Sequence, residues 1–208
     1  VLGACGAGRA ADAGKLIASP EADWPQWRGP RRDAVSSETG LLDAWPAGGP
    51  KLLWKIDSLG KGWSSPIIVG KTLYITGDVG ERLEIFAFDL DGKLKWKTPN
   101  GKAWKKPFGG ARAACCYSEG KIYNMNAYGR VACLDAANGK ELWSVYMLKR
   151  FRAKQPTFGV SECVLVDGDR VIVTPGSKTA LLAALDKKTG ETVWTATAPP
   201  EATETAGY

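Results

Sequence analysis

The chain has 208 residues, 44% of them hydrophobic and 24% charged, with a net charge of +6. This is ordinary globular composition, enough for one or two domains, and no apolar run of about 18 residues is present to predict a membrane-spanning helix. Histidine is absent, which excludes Ser-His-Asp and Cys-His catalysis, histidine-ligated zinc and c-type haem attachment within these residues.

Residues 1–19 read as the remnant of an export leader. VLGACGAGRAADA places an apolar end before small residues suited to signal-peptidase cleavage, such as Ala11-Asp12-Ala13. Leu2-Gly3-Ala4-Cys5 also has the form of a lipobox, which would put a lipid anchor on Cys5. Both point to a protein exported to the periplasm or cell envelope, an oxidising compartment. Residues 20–53 form a Trp/Pro-rich lead-in with a closing strand. Its segment Trp24-Pro25-Gln26-Trp27-Arg28-Gly29-Pro30 is proline-punctuated and predicts extended chain across the outer surface or bottom of the domain.

Residues 54–208 carry a repeat. AFDLDGKLKW, CLDAANGKELW and ALDKKTGETVW share a small residue, an aspartate, a glycine and a tryptophan. The aspartates are Asp89, Asp135 and Asp186; the glycines are Gly92, Gly139 and Gly190; the tryptophans are Trp96, Trp143 and Trp194. KLLW, ending at Trp54, reads as the tail of an earlier copy. Periods of about 40–50 residues indicate stacked supersecondary units. Each period holds two β-rich runs about a Gly-Lys or Gly-Asp turn, then a third strand, the Asp-Gly turn and a fourth strand ending in Trp. Four strands per period predict an all-β propeller blade. The aspartate suits backbone N–H groups in the turn, the glycine supplies positive φ, and the indole is expected to lie flat between adjacent blades.

With these motifs in view, the chain resembles the pyrroloquinoline-quinone (PQQ)-like repeat propellers. That superfamily includes quinoprotein alcohol dehydrogenases and the non-enzymatic outer-membrane assembly lipoprotein BamB. The lead-in DWPQWRGPRRDAVSSETGLLDAWP is similar to the opening of exported proteins of the planctomycete type. The resemblance implies four-stranded blades in an incomplete ring, about three to four of a probable eight. The C-terminal Thr205-Ala206-Gly207-Tyr208 resembles Gly60-Lys61-Gly62-Trp63, as though a further blade were beginning there.

Cys115 and Cys116 stand side by side. Aligning the turn glycines Gly70, Gly120 and Gly168 puts Cys115 level with Ser65 and Cys163, and Cys116 level with Pro66 and Val164, which reads both as small core residues. The resemblance implies an alternative, because quinoprotein dehydrogenases carry a disulfide between neighbouring cysteines packed over PQQ. Adjacent Cα atoms, about 3.8 Å apart, fall below the usual disulfide span of about 4.4–6.8 Å. That family's arginine after the pair is missing, and its calcium ligands do not map here. The basic loop around Trp104, Lys105 and Lys106, with Arg112, is the candidate binding loop.

The resemblance implies first a non-catalytic envelope scaffold, similar to BamB. It would bind envelope proteins or anionic polymers, not nucleic acid, and need no cofactor. The alternative is a PQQ- and calcium-dependent dehydrogenase touching its cofactor through Cys115 and Cys116. A carbohydrate-binding module using Trp104 is the third reading.

Overall fold

A computed structural model describes residues 23–197 and 199–201. Cys5, residues 11–13 and residues 205–208 lie outside the described residues. Twelve strands form three four-stranded antiparallel sheets, each a simple meander. Blade 1 holds β1 (Ile67–Val69), β2 (Thr72–Val79), β3 (Arg82–Asp89) and β4 (Leu94–Lys102). Blade 2 holds β5 (Cys116–Ser118), β6 (Lys121–Met125), β7 (Arg130–Asp135) and β8 (Glu141–Tyr146). Blade 3 holds β9 (Leu165–Asp167), β10 (Arg170–Val173), β11 (Leu182–Asp186) and β12 (Thr192–Ala196). This is an arc of a β-propeller. One four-residue helical turn, α1 (Met147–Arg150), interrupts the connection between blades 2 and 3, where the sequence pattern predicts only loop.

The third strands are apolar on both faces, because one face meets each neighbouring blade. In β3, Ile85, Phe86, Ala87 and Phe88 are all buried, and so are Val131, Ala132, Cys133 and Leu134 in β7. The core accordingly divides into two clusters, one between blades 1 and 2 and one between blades 2 and 3.

The repeat motif builds these junctions. Asp135 Oδ1 accepts the N–H groups of Ala137 and Asn138; Asp89 and Asp186 hold their turns in the same way. Each turn then receives the tryptophan of the preceding blade. Trp96 donates its indole N–H to the Ala136 carbonyl at 3.0 Å, and Trp143 to Lys187 at 3.1 Å. Trp54 does the same to Leu90 at 2.8 Å. The glycine is required by both conformation and space. Gly139 has φ 74°, and a Cβ there would stand 2.5 Å from Trp96 Cε3. The small residue lies opposite the tryptophan of its own blade: Ala87 pairs Trp96, and Cys133 pairs Trp143. Burying one indole removes about 200 Å² from water, about 5 kcal/mol by area. Residues 51–54 form no strand among the described residues, so the KLLW segment supplies the docking indole without a closing strand.

One correction concerns the register. The β-pairing sets Ile67, Cys116 and Leu165 level, opposite Tyr74, Tyr123 and Ile172. Cys115 is therefore level with Pro66 and Val164, and Ala114, not Cys115, is level with Ser65 and Cys163. The alignment on turn glycines slips by one because blade 2 turns at Glu119-Gly120, both with positive φ (47° and 76°), as a type I′ turn requires. Blades 1 and 3 place glycine first in their two-residue turns, where only that first residue, Gly70 or Gly168, has positive φ.

The lead-in runs along the free edges of the first strands. Trp24 exchanges two backbone hydrogen bonds with Ile68, the Pro25 carbonyl accepts Tyr117 N–H, and Arg32 donates to the Val164 carbonyl at 2.8 Å. One segment thus satisfies edge groups of blades 1 and 2 and the entry to blade 3, which would otherwise stay open.

Candidate functional site

The slipped register exposes a pattern. Ser65, Ala114 and Cys163, the three level residues, all line one cleft of about 440 Å³. Its walls include Trp27 and Trp63, which remain 44% and 64% exposed. Trp63 is held in place: its backbone N–H donates to the Ala111 carbonyl at 2.7 Å and its indole N–H to Gly109 at 3.1 Å. Arg32 is oriented by Gln26 Oε1 at 2.8 Å and by the Val164 carbonyl. Glu162 accepts the Thr174 N–H at 3.0 Å and its hydroxyl at 3.2 Å. Burial raises the Glu162 pKa; the two Thr174 bonds and the nearby Arg32 oppose the rise.

The two adjacent cysteines do not meet in this cleft. Successive strand residues point to opposite faces, and Cys115 joins the core between blades 1 and 2 while Cys116 joins the core between blades 2 and 3. Both are free thiols, 1% and 3% exposed. Burial pushes the Cys116 thiol up to about 11 and Cys115 higher still, so neither is a ready thiolate at neutral pH. Cys163 is the cysteine that reaches the cleft. Its Sγ accepts the Ala114 N–H at 3.2 Å, and it is partly exposed.

The candidate binding loop is differently divided. Trp104 is only 2% exposed. Its ring packs against Tyr128 at 5.2 Å, with the Lys106 ammonium 5.5 Å and the Arg112 guanidinium 5.7 Å from its centroid. It braces the loop and offers no open face for a ligand. Arg112 in turn donates to the Phe108 carbonyl at 2.7 Å, and Lys105 pairs with Glu81. The exposed aromatic of this loop is Phe108, 66% exposed and 5.7 Å from Phe158 of the next connection. Nothing in the local sequence separates Phe108 from Trp104; the Trp104 N–H bond to Asp78 Oδ2 at 2.8 Å turns one inward and leaves the other out.

The chain is similar to proteins of known kind. A quinohemoprotein alcohol dehydrogenase, ADH IIB, of Pseudomonas putida is 38% identical over 88 residues, which is 41% of this chain and 12% of the relative. The dehydrogenase subunit of a quinone-linked alcohol dehydrogenase from Gluconobacter oxydans is 26% identical over 204 residues, 88% of this chain and 26% of the relative. The solved quinohemoprotein alcohol dehydrogenase from Comamonas testosteroni superposes with a TM-score of 0.60 at 22% identity, covering 88% of this chain and 28% of that one; at that identity it shows the shared fold. The chain thus spans about an eighth to a quarter of these relatives' length. A family model matches residues 82–207, more than half of the chain, and by that match the chain belongs to the PQQ-repeat family described as outer membrane protein assembly factor BamB.

Proposed function

We propose that this chain is a non-catalytic propeller scaffold of the cell envelope, acting on envelope proteins or anionic polymers through its loops. The placement of Cys115 and Cys116 carries this reading: the residues that resemble a redox pair are each buried against a different blade. The family's description as an outer-membrane assembly factor supports the envelope location. The loop face supports the binding role, since Trp63, Phe108 and Phe158 stay exposed beside Lys105 and Lys106, and aromatics with cations suit protein contact.

The second reading, a PQQ- and calcium-dependent dehydrogenase, is favoured by the names of the relatives and by the cleft's two indoles beside Arg32, which suit a planar anion. Calcium does not fit the described lining. It takes about six to eight oxygen ligands, whereas Glu162 is the single carboxylate there, already engaged with Thr174. The test is a titration of the protein with PQQ in calcium, following tryptophan fluorescence and cofactor retention through gel filtration. No retention is expected. Stoichiometric retention overturns the scaffold reading and calls for an alcohol-oxidation assay.

A further inference from the structure

A second, larger cleft lies between blades 1 and 2, away from the first strands, with a volume of about 880 Å³. Its floor is a fixed cation. Arg130 donates to Asn100 Oδ1 at 2.6 Å, to both oxygens of Glu141 at 2.9 Å and to Ser144 Oγ at 2.9 Å. Behind it, Asn100 is fully buried and donates to Asn124 Oδ1, while Asn126 donates to the Asn100 carbonyl. This closed amide network holds the guanidinium still, with the Tyr146 ring 5.9 Å away. Its charge is already matched by Glu141.

Two further cations at the rim are not matched. Arg82 and Lys102 are direct partners across the β3–β4 ladder, so their side chains leave the same face of the sheet. Like charges directly opposite each other are unfavourable. Both are exposed, both line the cleft, and neither forms an ion pair among the described residues. Glu81, the nearest acid in sequence, is taken by Lys105. A bound anion would relieve this pair.

We propose that this interblade cleft binds a short segment of acidic saccharide, its carboxylate or sulfate seated between Arg82 and Lys102. The inference deepens the scaffold reading by naming an anionic polymer for one of its surfaces. The rest of the lining selects the class. Tyr128 and Tyr146 supply flat faces for sugar rings, and the Glu141 carboxylate supplies acceptor oxygens for hydroxyls. No Leu, Ile, Val, Met or Phe lines the cleft, so an acidic peptide would find little for its apolar side chains. The volume lies within the usual range for small-ligand sites, about 300–1,000 Å³.

Calorimetric titration of the protein with trigalacturonate tests this, with maltotriose and hexaglutamate as comparisons. Saturable trigalacturonate binding that weakens with added salt is expected, with maltotriose at least about tenfold weaker, the factor lost with one good ionic contact. Lys102→Glu should lose about tenfold or more in trigalacturonate affinity while melting no lower than the parent, because it replaces a like-charge pair with an opposite one. No saturable binding by the parent, or unchanged binding by Lys102→Glu, overturns the inference. Tighter binding of hexaglutamate overturns it in favour of an acidic protein segment. Arg82 and Lys102 line no part of the cleft walled by Trp27 and Trp63, so PQQ retention would overturn the scaffold reading without altering this result.

Discussion

Gly139→Ala tests whether the blade junction, and not the turn alone, requires glycine. At Gly139 φ is 74°, and an added Cβ would sit 2.5 Å from Trp96 Cε3 and 2.7 Å from Thr98 Oγ1. Gly120→Ala is the matched control: φ is 76°, and a Cβ there meets nothing within 4 Å. Both variants bear the left-handed backbone strain of alanine, roughly 1–2 kcal/mol. Only Gly139→Ala must also displace an indole by about 1 Å to reach ordinary contact distance. Overpacking of that kind costs about 1–3 kcal/mol. The indole bond to Ala136 and the Thr98 bond to the Gly139 carbonyl are strained with it, about 1 kcal/mol each. Gly139→Ala should therefore be less stable than Gly120→Ala by roughly 2–4 kcal/mol. Urea unfolding followed by tryptophan fluorescence measures the difference. If the two variants agree within about 0.5 kcal/mol, the typical spread of harmless substitutions, the indole is not held against that turn and the junction model fails.

Three other outcomes follow from the same packing. Tyr123→Phe removes a hydroxyl bond to the Lys187 carbonyl at 3.1 Å; the Trp143 indole still donates to that oxygen, so the loss in urea stability should be small, about 0.5–1.5 kcal/mol. For Glu162, burial raises the pKa, so the folded state keeps its proton to higher pH than the unfolded chain. The linked stability is present below the ordinary glutamate range, about pH 4.3, and is lost as pH rises through the raised value. Glu162→Gln should flatten that slope, and melting curves between about pH 4 and pH 7 that stay parallel for parent and variant would refute it. A neutral maleimide should label Cys163 before Cys115, Cys116 or Cys133 in the folded protein, read by peptide mass mapping, because Cys163 alone of the four is only partly buried.

The parts legible in the sequence are those in which one physical problem is solved repeatedly. Each junction needs a carboxylate to hold a turn, a glycine to make room and an indole to fill it, so three copies reveal the blade before any tertiary contact is known. Turn register was legible only to within one residue. A two-residue turn can place its glycine first or second, and Glu119 accepts φ 47° at a position where the other blades use glycine. That one-residue slip reverses which side chains face inward, and with it the meaning of the cysteines. The lead-in's position depends on which strand edges stay unpaired, a property of the assembled sheets and not of the segment itself. The Arg130 cleft was equally hidden, because Arg130, Asn100 and the pair Glu141 and Ser144 come from three separate strands. Adjacency therefore misleads in both directions here. Cys115 and Cys116 are neighbours in sequence and part to opposite faces, whereas Cys163 and Ala114 are 49 residues apart and share a hydrogen bond. On a β-strand, a chemical pairing of consecutive residues must first survive the alternation of the pleat, and this cysteine pair does not.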